Sequence, residues 1–193
     1  MRFFTSKLET GEEMMTKYMT TAVALLALLI WPAPQATADE SATPQEVVGK
    51  VRDAAAYLQK HGKAGLEEFK KADSPFVFKD TYVFVYDCGA GIADVASPIA
   101  TVKPNPVATN ADATGRVTGP EFCKLAAQPN GGWIEYKWYK PIKTPGQKQL
   151  TYSKETARKV TFLLGAKGQP YQVGAGIYND TATVAELDAL LTK

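Results

Sequence analysis

Period-two patterning narrows the fold of this chain more than any other feature. In TYVFVY, Tyr82, Phe84 and Tyr86 fall on one face of an extended segment, and Val83 and Val85 on the other. Asp87 through Gly91 is turn chemistry, and IADVAS continues as a second strand. WIEYKWYKP reads as a third strand ended by Pro141, and KTPGQ as a turn. KQLTYSKETARKVTFLLGA supplies one or two strands more, and QPYQVGAGIYND the last. Between the second and third strands lies PIATVKPNPVATNADATGR, with three prolines and few bulky residues, an irregular connection long enough to serve as a cover.

Helical signals are confined to the flanks and to one short insert. Thr43, Pro44 and Glu46 form a capping box with proline at the first helical position. Val47, Val51, Ala54, Ala55 and Leu58 follow at helical spacing, which predicts a helix from Pro44 to about His61 that stops at Gly62. A second short helix is expected over Ala64 to Ala72, with Leu66 and Phe69 inward, ended by Ser74-Pro75. GPEFCKLAAQP reads as a short helix, and TVAELDALLTK as a closing helix capped by Thr183. Runs of strands with helices segregated outside them define an α+β class. The expected architecture is a long N-terminal helix packed on a central antiparallel sheet of about five strands.

The first 38 residues read as an export signal. TTAVALLALLIW (residues 20–31) is a continuous apolar run, too short for the roughly 20 residues of a membrane span. Lys17 precedes it, and Ala36-Thr37-Ala38 is a small-x-small cleavage site. Cleavage after Ala38 is expected, leaving residues 39–193 as one periplasmic or secreted domain with no stable membrane span. Translation starting at Met14 or Met15 would give a more usual signal, because the segment before them is acidic. In an oxidising compartment Cys88 and Cys123 can form a disulfide. Its closed loop would contribute roughly 4 kcal/mol in the chain-entropy model. Two separate buried thiols are the alternative.

Several chemistries are poorly supported. The formal charge of +2 gives no basic footprint for nucleic acid. The one histidine, His61, stands at a helix end, so neither a Ser-His-Asp triad nor the usual zinc or haem site can be assembled. The two GAG stretches, residues 89–91 and 174–176, lack phosphate-loop context. The second marks a bulge or a close backbone approach within a strand. Asp112 misses calcium-loop spacing. A non-catalytic protein without a cofactor is expected.

Five blocks in order carry a resemblance to the single Cache domain family, PAS-like sensor domains of the extracytoplasmic space. YVFVYDCGAGI resembles the family's strand-turn-strand block, and Asp112, Gly115 and Arg116 in DATGR resemble its D-x-x-G-K segment. GGWIEYKWYKP is similar to its G-W-x-x-Y-x-W-x-x-P block, QLTYSKE to its K-x-x-Y strand and VGAGIY to its closing strand. With the leading helix, these span about residues 45–180. The resemblance implies a pocket on the sheet face opposite the helix, covered by the segment between the second and third strands. It also implies a small organic ligand, often a short carboxylate.

The sequence departs from the family at two places. GIADVAS stands where Ala-His is common, and Gln149 replaces the lysine before the tyrosine of the fourth block, with Lys148 one position earlier. Family members usually form the outer part of chemoreceptors and histidine kinases. This sequence ends at Lys193, soon after the domain, and resembles the stand-alone secreted members.

In the third strand, alternation places Tyr136 and Trp138 on one face, and Trp133 and Tyr139 on the lysine-bearing other. The expected site therefore has Tyr86, Tyr136, Trp138 and Tyr152 as walls and donors, with Lys148 or Arg116 as the cation for a carboxylate. The competing expectation is an interaction subunit with a degenerate pocket that docks on a membrane-bound receptor or kinase.

Overall fold

Thr43 opens helix α1 (Pro44–His61) in a computed structural model that describes residues 41–192. The Thr43 hydroxyl accepts from the Glu46 amide at 3.3 Å, and the Glu46 carboxylate accepts from the Thr43 amide at 2.8 Å. Both bonds satisfy helix-start groups that would otherwise lack partners. Val47, Val51, Ala54, Ala55 and Leu58 are the buried stripe. Gly62, at φ 53°, turns the chain while its amide still reaches the Leu58 carbonyl. The second short helix expected over Ala64 to Ala72 is a 3-10 helix, Gly62–Lys70, that starts directly at the turn. A Cβ on Gly65 would stand 3.0 Å from His61 and 3.1 Å from Tyr57, so this segment lies hard against α1. The signal segment expected over residues 1–38 lies outside the described residues.

TYVFVY divides into two strands. β1 (Val77–Phe78) and β2 (Thr81–Tyr82) form a small ribbon, and β3 (Phe84–Asp87) enters the main sheet. Val83 is the joint, its amide bonded to the Phe76 carbonyl at 2.9 Å. The main sheet adds β4 (Ile92–Ala96), β5 (Asn105–Pro106), β6 (Gly132–Ile142), β7 (Thr151–Gly165) and β8 (Tyr171–Tyr178). All its ladders are antiparallel, in the order β5-β4-β3-β8-β7-β6. The sixth strand, beyond the five expected, is the two-residue β5 in the covering segment. Helix α2 (Gly119–Ala126) closes that segment, and α3 (Val184–Asp188), capped by Thr183 and Glu186, follows β8.

The faces divide as alternation requires. Val83 and Val85 join Val47, Val51 and Leu58 in the core beneath α1, while Tyr82, Phe84 and Tyr86 join Tyr136 and Phe122 on the opposite face. Trp133 belongs to the α1 side, with its ring 5.4 Å from that of Phe162. Tyr139 corrects the simple two-face picture. A register shift between Tyr139 and Pro141 bends the strand, and the Tyr139 ring lies 6.0 Å from Trp138 and 5.7 Å from Tyr152. Pro141 does not end β6, because this is an edge strand and the bulge accommodates the missing donor.

The outer edge of β6 is blocked rather than left open. The Asp112 carboxylate accepts from the Lys137 amide at 3.3 Å, and the Ala113 amide donates to the Lys137 carbonyl at 3.0 Å. Arg116 donates to the Glu135 carbonyl at 3.0 Å, and Asp188 accepts from the Trp133 amide at 3.2 Å. Unpaired strand edges invite pairing with other chains, and these bonds occupy that edge.

Candidate ligand cavity

On the face away from α1, the sheet carries a small cavity roofed by residues from 105–126. It leaves about 20 Å³ open to the centre of a water molecule, room for one or two waters. Two glycines of β8 let neighbouring groups close in on that strand. A Cβ on Gly174 would fall 2.6 Å from the Phe84 ring, and one on Gly176 would fall 2.3 Å from the Thr161 hydroxyl. The close approach expected of the GAG stretch is one of side chains at Gly174, and of side chain and backbone together at Gly176, where the Val160 carbonyl oxygen would lie 2.6 Å from a Cβ.

The walls are tyrosines whose hydroxyls are organised. Tyr86 donates to the Asn110 side-chain carbonyl at 2.6 Å, which ties β3 to the roof. Thr161 donates to the Tyr136 hydroxyl at 3.1 Å, leaving the Tyr136 proton available. Trp138 donates to the Tyr152 hydroxyl at 2.6 Å, and Tyr152 shares a 2.8 Å bond with Tyr82. Only one proton of the Tyr82–Tyr152 pair can lie between the two oxygens, so the other is also available. Burial pushes the hydroxyls of Tyr82, Tyr86 and Tyr136 well up, and that of Tyr152 up to about 12, so all four are neutral donors near pH 7.

Phe122 of α2 forms the roof, its ring 5.6 Å from Tyr86 and 5.2 Å from Tyr136. The next residue, Cys123, is disulfide-bonded to Cys88 in the turn after β3. Of the two states open to these cysteines, the structure has the bridge, and it anchors the roof helix to the floor.

Two charged groups that sequence reading left out of the site flank this cavity. Asp94 lines it directly. Two steps along β3 match four along β4 between the pairs Val85–Ala96 and Asp87–Ile92, so β4 bulges. Asp94 sits in that bulge at φ 54°, a left-handed conformation that aspartate tolerates better than most residues. Burial pushes its carboxyl up to about 6, against the opposing effects of Asn105, Lys159 and Asn110. Lys159 of β7 stands opposite Tyr136 on one side and Tyr178 on the other. It is completely buried, and its ammonium has no hydrogen-bond partner. It lies 4.4 Å from the centre of the Tyr82 ring, 5.2 Å from Tyr178 and 5.8 Å from Phe84. Burial pushes it down to about 7, opposed by the fields of Asp94 and Asp80.

The structure brings Tyr86, Tyr136, Trp138 and Tyr152 together around the cavity. It does not bring Arg116 or Lys148 there. Arg116 is engaged outside, with Glu121 at 2.7 Å and the Glu135 carbonyl. Its partner in the DATGR block, Asp112, is a turn-former. Burial raises its pKa, but hydrogen bonds from Thr114 and from the amides of Lys137 and Arg116 hold the carboxyl below its usual range. Lys148 is exposed in the β6–β7 loop, where its carbonyl accepts from the Ala72 amide at 2.9 Å. Alternation could have flagged Lys159. In RKVTFLLG it is in phase with Thr161 and Leu163, inside a strand apolar on both faces. Asp94 carried no comparable signal, because a bulge breaks the alternation that would assign its side.

The strand order, without the short β5, is 2-1-5-4-3 in chain sequence, with the long helix on one face and a roofed cavity on the other. These features define an α+β domain of PAS-like topology. No family model and no curated protein matches the chain. Among solved structures it is similar to a Cache chemosensory domain described for carboxylic acid recognition, with 16% identity and a TM-score of 0.45. That similarity covers 89% of this chain and 100% of the other. A methyl-accepting chemotaxis protein from Vibrio parahaemolyticus RIMD 2210633 is similar over 70% of this chain and 88% of its own, with 18% identity and a TM-score of 0.48. The periplasmic sensor domain of a chemotaxis protein is similar over 86% of this chain and 99% of its own, with 15% identity and a TM-score of 0.37.

Proposed function

We propose that this chain is a Cache-type sensory module that binds a small organic molecule in the aromatic cavity, outside the cytoplasm and without catalysis. The observation that carries the reading is the buried, unpartnered ammonium of Lys159 beside a cavity of tyrosine donors. An uncompensated buried cation costs several kcal/mol, and hydrophobic replacement removes that cost. Its presence here is accounted for by an anionic partner that arrives from outside. A short carboxylate suits the site. Its oxygens would accept the available protons of Tyr136 and of the Tyr82–Tyr152 pair, within the field of Lys159. The free volume is small, so entry would require the half-buried rim of Trp138 and Tyr152 to move outward. Cleavage after Ala38 belongs to the same reading, and N-terminal sequencing of exported protein tests it.

A thermal-shift screen of two- to four-carbon carboxylates is the direct test. A ligand at one hundred times its dissociation constant stabilises by about 2.7 kcal/mol, an easily measured shift. Lys159→Met should abolish the response. A screen without a shift would leave the second reading, an interaction subunit whose pocket is filled by its own side chains. The small free volume is what favours that reading. It would be supported by capture of one membrane-bound receptor or kinase that a Trp138→Ala variant still binds.

A further inference from the structure

We propose that the ligand carries an ammonium group as well as a carboxylate, and that Asp94 receives the ammonium. The inference deepens the ligand-binding reading above and rests on it. Asp94 is the ionisable acid that faces the cavity, and the β4 bulge turns it there. Its hydrogen-bond partners are neutral amides, the side chain of Asn105 and, at 3.4 Å, Asn110 Nδ2. That amide is already committed to Asn105 at 3.1 Å, and the Asn110 carbonyl accepts from Tyr86 at 2.6 Å. The Tyr86–Asn110 and Asn110–Asn105 bonds hold the roof, and Asp94 adds to it contacts with neutral amides and no cation at ion-pair distance. Lys159 influences Asp94 through its field but makes neither an ion pair nor a hydrogen bond with it.

A ligand with a carboxylate alone would sit beside Asp94 as a second negative charge in a poorly solvated cavity, and like charges there repel strongly. A zwitterion removes that conflict. Its carboxylate lies toward the tyrosine protons and the Lys159 field, and its ammonium toward Asp94. The rings of Tyr86, Phe122 and Trp138 line the same cavity, and aromatic faces attract cations. Each buried charge of the protein then meets an opposite charge of the ligand.

The experiment compares 3-aminopropanoate, propanoate and propylamine by calorimetry at pH 7.5, on the full exported domain and on Asp94→Asn and Asp94→Glu variants. Wild type should bind 3-aminopropanoate about tenfold or more tighter than propanoate, the range expected of a hydrogen bond to a charged group. Asp94→Asn should erase that preference, and Asp94→Glu should keep part of it. Propanoate binding as tightly as the amino acid would overturn the inference while leaving the ligand-binding reading intact. So would a preference that survives in Asp94→Asn. Should Asp94→Asn fail to fold, the wild-type comparison and Asp94→Glu still decide. No binding by any of the three, together with a blank carboxylate screen, overturns both.

Discussion

The two faces of the central sheet are built from different materials. The face under α1 holds Val85, Val160, Phe162, Val173 and Ala175, all completely buried and without side-chain polar groups. The opposite face holds Tyr82, Tyr86, Tyr136 and Lys159, with Thr161 beneath them. The first face is what burial alone would select. The second keeps a cation that burial opposes and hydroxyls that need partners. Side chains that cost stability are expected where they serve binding, so the proposed reading assigns binding to one side of the sheet and stability to the other.

That division can be broken most severely from the α1 side. Phe162→Ala should cost about 3–5 kcal/mol by removing a buried ring from a packed core, measurable by urea denaturation. Removing the bridge with Cys88→Ser and Cys123→Ser should cost about 2–4 kcal/mol. It should also raise hydrogen exchange across α2, because the roof loses its anchor to the β3 turn.

Lys159→Met should act in the opposite direction, raising stability by about 2 kcal/mol near pH 6.5 while ending ligand binding. The sign follows from proton binding. In the unfolded chain the lysine keeps its proton up to its usual range near 10.5, whereas the folded protein releases it at about 7. The unfolded state then holds more protons between those values, so stability of the parent protein rises with pH across that window. Asp94 works the other way. Its folded value of about 6 exceeds the usual 3.8, so stability falls as pH rises between them. The parent should be least stable near pH 6 to 7, and Lys159→Met should flatten the alkaline limb of a melting-temperature profile.

Tyr152→Phe is a smaller perturbation of the functional face. It strands the Trp138 indole N–H and should cost about 1 kcal/mol in stability, with a larger loss in ligand affinity. Arg116→Ala should cost no more than about 1 kcal/mol, because its ion pair with Glu121 is half exposed, and should leave ligand affinity unchanged. An affinity loss in Arg116→Ala would contradict the division between cavity and edge.

Much of the frame was legible without coordinates. The capping box at Thr43, the cap at Thr183, the stop at Gly62 and the facing of Tyr82, Phe84 and Tyr86 all follow from local rules of spacing. Local rules also gave the covering segment, through its prolines and sparse bulky residues. They missed the 3-10 character of Gly62–Lys70, which depends on how closely Gly65 lies against α1. They carried β6 only to Pro141, because a bulge is a relation between two strands. The two cations expected at the cavity do not line it, for the same reason. Lys148 and Arg116 lie near the relevant blocks in sequence, but one is in an exposed loop and the other spans to a strand edge.

By itself, then, the sequence determined most of the helices and strands and, away from the bulges, which side chains share a face, since both depend on neighbours a few residues away. Tertiary structure decided which face became a cavity, whether the two cysteines met, and which charges were buried. Lys159 is placed by its two partner strands and Asp94 by a mismatch between β3 and β4. Burial of a charge is set by everything packed around it, and no spacing along one strand encodes that.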